Sequence, residues 1–138
     1  MTALMKRLGI ENGKMMETHL LDILFNERAN GNCIHLYRAA EYWVAFERSA
    51  FNLCCSYAKS VINAMKVFKV PFPIVVDSVE EREIPFIVGS MKCTKKTSVE
   101  RIYKIAKPSD SLLFQEWHYQ NTFAFHNRGL AKPLNKKN

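Results

Sequence analysis

The chain has 138 residues, 48% hydrophobic and 24% charged, with a formal net charge of +7. That length fits one domain burying roughly 68–70% of the surface its unfolded chain exposes, and the composition excludes disordered, collagen-like and other fibrous classes. The positive excess favours an acidic partner, whether nucleic acid, a membrane surface or an acidic protein.

In chain order, residues 14–26 bring Met16, Leu20, Ile23 and Leu24 onto one face of a helix, which Asn30-Gly31-Asn32 ends. Residues 33–37 read as a half-buried strand, and residues 42–46 as either a second strand or the start of the next helix. From Phe46 the positions Ala50, Leu53, Cys54, Tyr57 and Val61 recur at helical spacing and predict an amphipathic helix. Residues 67–70 form a short β-prone piece, Pro71-Phe72-Pro73 interrupts it, and residues 74–76 read as an edge strand beside a proline-marked turn. A charged loop follows over residues 77–83, then a buried strand over residues 84–91 closed by Gly89. Thr97 or Ser98 is placed to cap a helix that runs to about Ala106 and that Pro108 stops. Ser109 or Ser111 caps a short helix around residues 112–119, ahead of a basic tail that frays. The order implies an α+β domain with a small mixed β-sheet flanked by helices.

Several function classes are disfavoured. No run of about 18 apolar residues exists to span a bilayer, and the start MTALMKRLGIENGK lacks the apolar stretch of a secretory signal, so a cytoplasmic protein without membrane attachment is the expectation. Cys33, Cys54, Cys55 and Cys93 form no CxxC pair and no zinc spacing, which predicts reduced thiols and no metal site. A bond between the adjacent Cys54 and Cys55 would strain the backbone. There is no Gly-rich phosphate loop, no GxSxG and no paired carboxylates in a catalytic setting, so no catalytic residue and no cofactor is assigned. His35 reads as structural, His118 and His126 imply no third ligand, and Asp110 and Glu116 read as caps or surface pairs.

Two features speak for binding. Tyr42 and Trp43 sit at the junction after Arg38, and residues 92–107 hold Lys92, Lys95, Lys96, Arg101, Lys104 and Lys107 against Glu100 alone. Aromatic rings stack on bases at roughly 1–3 kcal/mol per base, and lysines neutralise phosphates with strong salt dependence. Against this, strand aromatics are usually core and a lysine-rich face is usually just solvated.

The segment YRAAEYWVAF over residues 37–46, preceded by a helix opening at Met15-Met16 and followed by a helix, resembles the YR-x-G-D-F-Y-E-x-F signature of the mismatch-recognition domain of MutS proteins, domain I. IPFIVGSMKCTKKTSVERIYKIA over residues 84–106 is similar to that family's IPMAGVPYHSLEKYLAKLV passage. The resemblance covers residues 15–106 and implies a mixed sheet surrounded by helices. It implies a domain over residues 15–107, an extension over residues 1–14, and a C-terminal helical segment and basic tail over residues 108–138 packed on the same domain. In the family a phenylalanine wedges beside a mispaired base and a glutamate two residues on bonds it. Those positions are Tyr42, which keeps a ring, and Val44, which cannot make the bond. The family's glycine is Ala40, which puts a positive φ there in doubt. No Walker motif or ATPase domain is present, which excludes ATP-driven repair by this chain alone. The implied function is a standalone, non-catalytic DNA- or RNA-binding module without authentic mismatch specificity, using Arg38, Tyr42, Lys92, Lys95, Lys96, Arg101 and Lys104. The alternative is a protein-interaction or structural domain, binding another protein or itself, that kept the fold and lost nucleic-acid contact.

Overall fold

The structure, a computed structural model, describes residues 17–67 and 70–126. Helix α1 (Glu17–Glu27) leads into strands β1 (Cys33–Ala39) and β2 (Tyr42–Phe46), helix α2 (Glu47–Ser56), and strands β3 (Val61–Met65) and β4 (Ile74–Glu80). A 3-10 turn (Glu81–Glu83), helix α3 (Ile84–Val88), strands β5 (Lys92–Lys96) and β6 (Glu100–Lys104) and helix α4 (Ser111–His126) complete it. All the strands belong to one sheet in the order β3-β4-β2-β1-β6-β5.

The α+β class is as expected, but the sheet is antiparallel in every ladder rather than mixed. Helix α2 is a crossover between β2 and β3, which run in the same direction. Because β4 inserts between them, antiparallel to both, no parallel ladder forms.

Alternation along the strands divides the core into two layers. Val44, Phe46, Ile74 and Val76 pack against Leu20, Ile23 and Leu24 of α1. On the other face Ile34, Leu36, Trp43, Val79 and Tyr103 pack against Ala50 and Leu53 of α2 and Ile84 and Ile87 of α3.

Several elements differ from the sequence expectation. The helical stripe after Phe46 stops at Ser56, and Val61 and Ile62, both β-branched, enter edge strand β3 instead. Residues 74–76 are interior, since β4 lies between β3 and β2, and the strand runs on to Glu80 through what reads as a charged loop. Val67 and Val70 are buried without forming a strand. Residues 84–88 form a helix rather than a strand. Glu80 and Glu83 make a reciprocal capping box, Pro85 occupies the first turn, and Ile84 and Ile87, one turn apart, face the core while Phe86 points out.

The largest correction concerns the basic segment: the helix expected from Thr97 or Ser98 to about Ala106 is instead the turn and second strand of a β-hairpin over residues 92–104. Thr97 Oγ1 accepts the N–H groups of Val99 (3.3 Å) and Glu100 (2.9 Å), so the capping chemistry read at Thr97 closes a hairpin turn instead. Asp110, rather than a serine, caps α4 by accepting the N–H groups of Leu112 (2.8 Å) and Leu113 (3.1 Å), and that helix continues to His126. It rests on α2, β3 and β4. The four cysteines are free thiols. The basic tail after residue 126, the extension over residues 1–14 and Met15 and Met16 lie outside the described residues. Among the described residues no helix is long and apolar enough to cross a membrane.

Candidate nucleic-acid interface

The β1–β2 hairpin turns through Ala40 and Glu41, with Ala39 paired to Tyr42. Ala40 has φ 58°, so the left-handed conformation expected only of glycine is adopted by alanine, at a cost of roughly 1–2 kcal/mol. This tight turn sets the register that places Trp43 opposite Arg38 and Val44 opposite Tyr37.

Trp43 is fully buried, and its indole N–H donates to Glu81 Oε1 at 3.0 Å. The Arg101 guanidinium lies 4.2 Å from the ring centroid and that of Arg38 lies 5.6 Å away. Both converge on the same carboxylate, Arg101 at 3.2 Å and Arg38 at 3.7 Å. The Trp43 hydrogen bond first, then the arginines, hold the Glu81 carboxyl below its usual value. Two of the expected contact residues are thus committed to a latch around a core tryptophan.

Tyr42 is half-buried at the start of β2. Val44, where the sequence resemblance would align a base-reading glutamate, is buried in the layer under α1, so its side chain has no access to a base. Strand alternation puts Tyr42, Lys92, Lys95 and Lys104 on the α1 face, and Arg38, Lys96 and Arg101 on the other.

Lys92, Lys95 and Lys96 lie on edge strand β5, exposed along its whole length. Lys95 is tied to Glu100 at 2.8 Å. Glu100 also binds His35 Nε2 at 2.5 Å, and the Tyr37 hydroxyl lies 3.0 Å from His35 Nδ1. Hydrogen bonds from Lys95 and then His35 lower the Glu100 pKa, while burial lowers that of His35 against the pull of Glu100. Lys92, Lys96 and Lys104 are exposed and enter no ion pair among the described residues. The register sets Lys92 directly opposite Lys104 and Lys96 directly opposite Arg101.

Sequence reasoning did not find Glu81, which joins the arginines to Trp43, nor the link from Lys95 through Glu100 to His35. It also did not find Glu47, which opens α2 at φ 52°. Its carboxylate accepts the Val75 N–H at 2.9 Å and pairs with His118 Nε2 at 2.7 Å. These partners come from separate elements, so no local spacing signals them. Among the described residues no group of three or more His, Cys, Asp or Glu is placed to hold a metal ion.

No family model matches this sequence, and no curated protein or solved structure matches it either. The fold itself defines the class: an α+β protein with a six-stranded antiparallel sheet and, among the described residues, four helices.

Proposed function

We propose that the chain is a standalone, non-catalytic nucleic-acid-binding module, similar to MutS domain I and without authentic mismatch specificity. The observation that carries this is the charge register of the β5–β6 hairpin. Like charges directly opposite each other destabilise a strand pair, and this hairpin has two such pairs, Lys92 with Lys104 and Lys96 with Arg101. The two pairs lie on opposite faces of the sheet and Arg101 is already paired with Glu81, so the unrelieved repulsion is that of Lys92 with Lys104, which a bridging phosphate relieves. Lys92 and Lys104 supply phosphate contacts on the α1 face and Lys96 on the other, while Tyr42, opposite Ala39 at the far end of β1 from Lys104, supplies a ring to a strand that runs the length of β1. Absence of base reading follows from Val44, which lies in the core.

Fluorescence anisotropy with duplex, mismatched and single-stranded oligonucleotides at low and moderate salt tests the reading. Replacing Lys92, Lys96 and Lys104 with glutamine is expected to weaken binding alike for all sequences. It should also flatten the plot of log K against log salt by about 2 to 3. Absence of salt-sensitive binding to any of the oligonucleotides sinks the proposal.

A second reading, a protein-interaction or structural domain that kept the fold, is favoured by the complete burial of Trp43 and by the exposed Leu112, Leu113 and Phe86. Self-association measured by light scattering, together with no oligonucleotide binding, would select it.

A further inference from the structure

Between α1, the start of α2 and the start of α4 lies a cavity of about 370 Å³, within the size range of organic ligand sites. Its walls are mainly apolar, with Leu24, Phe25, Phe72 and Phe114 prominent. The polar groups that line it are two glutamates, Glu27 and Glu47, and two arginines, Arg28 and Arg48.

The glutamates are already committed. Glu27 accepts the Ser49 backbone N–H (2.8 Å), the Ser49 hydroxyl (2.7 Å) and the Asn30 amide (3.0 Å), so it caps α2 from within the core, and burial pushes its pKa up. Glu47 is held by Val75 and His118. The arginines are not matched by carboxylates. Arg48 stacks 4.9 Å from the Phe114 centroid and donates to Ser111 Oγ at 3.0 Å, and Arg28 lies 6.0 Å from the Phe25 centroid. Neither is in an ion pair among the described residues.

This balance selects the ligand's charge. A cation would find the Phe114 and Phe25 rings already carrying guanidinium groups and both carboxylates already hydrogen-bonded within the protein. An anion finds the forked donors of Arg48 and Arg28 beside an apolar chamber. We propose that the cavity binds a small amphipathic organic acid, an aliphatic or aryl body with a terminal carboxylate. The body fills the space between Phe25, Phe72 and Phe114, and Arg48 with Arg28 holds the carboxylate. No lining residue belongs to β5 or β6, so the site stands apart from the proposed nucleic-acid interface.

Titration calorimetry on the full chain with decanoate, decanol and decyltrimethylammonium, each below its micelle-forming concentration, tests this. Decanoate is expected to bind saturably at one site, at least about tenfold more tightly than the alcohol or the cation, as a charge-assisted hydrogen bond implies. Arg48→Gln is expected to bring decanoate to the level of decanol with oligonucleotide binding unchanged. Phe72→Trp, at a position 44% exposed, narrows the chamber and is expected to weaken decanoate and decanol alike. Equal binding of the three probes overturns the proposal. So does decanoate binding that survives Arg48→Gln and Arg28→Gln together, or binding that never saturates.

Discussion

Replacing Asp77 with asparagine should remove a loss of stability of about 4 kcal/mol between weakly acidic and weakly basic pH. Asp77 lies in the middle of β4 between Ala45 and Ile62, with no exposed surface. Its Oδ2 accepts the Ser60 hydroxyl at 2.6 Å, while its Oδ1 is buried without a hydrogen-bond partner. Burial raises its pKa from 3.8 to about 7, opposed by the Ser60 and Ser78 hydrogen bonds and assisted by Glu83. Cys54 of α2 also feels its charge. In the unfolded chain the carboxyl ionises above 3.8, whereas the folded protein keeps the proton until about pH 7. Stability is therefore full below 3.8, falls as pH rises through this window, and levels off above it. At about 1.4 kcal/mol per pH unit, the interval corresponds to roughly 4 kcal/mol. Asparagine keeps a carbonyl for Ser60 and never ionises, so Asp77→Asn should match the wild type near pH 4 and exceed it by up to about 4 kcal/mol at pH 8. Urea unfolding at several pH values measures this. Burial-raised Glu27 acts with the same sign and burial-lowered His35 with the opposite sign, so the difference between variant and wild type isolates Asp77. Parallel pH profiles for the two proteins would refute the reasoning.

Two further substitutions probe the hairpin and the latch. Ala40→Gly relieves the cost of φ 58° but adds unfolded-state entropy, for a net gain of about 0.5–1 kcal/mol in urea unfolding; a loss of stability would contradict the turn geometry. Glu81→Gln weakens the hold on Arg38 and Arg101, and is expected to lower the melting temperature while raising oligonucleotide affinity at low salt. A lower melting temperature with unchanged affinity would leave the latch purely structural.

What the sequence revealed followed from where burial is one-sided. Leu20, Ile23 and Leu24 of α1 face a single layer, and their helical spacing shows it. Residues 84–88 were ambiguous because a short apolar run fits strand or helix equally; the deciding contacts, the Glu80–Glu83 capping box, lie in the stretch before it. Strand β5 carries no alternation because it is exposed on both faces, so its conformation depends on pairing with β6. The basic residues of the candidate interface could be read from charge alone. Their partners could not, since Trp43 and Glu81 are 38 positions apart and meet only across the folded sheet.

Placing the basic segment on a hairpin rather than a helix alters what the lysines mean. On a helix they would form one solvated face. On an edge strand they have a ready structural explanation, because charged side chains keep exposed edges from pairing with other chains. That explanation covers Lys92, Lys95 and Lys96 of β5, the edge itself. It does not extend to β6, which is flanked by β1 and β5 and has no edge to protect. Yet β6 places Lys104 opposite Lys92 and Arg101 opposite Lys96. Arg101 is accounted for by Glu81 and Trp43. Lys104 faces a like charge, with no ion pair among the described residues and no edge to guard. If the hairpin only protected the sheet, Lys104→Glu would gain a cross-strand ion pair with Lys92 and cost nothing in function. If the hairpin holds phosphate, the same substitution should stabilise the fold while weakening oligonucleotide binding, so these two opposed readouts from one variant separate the explanations.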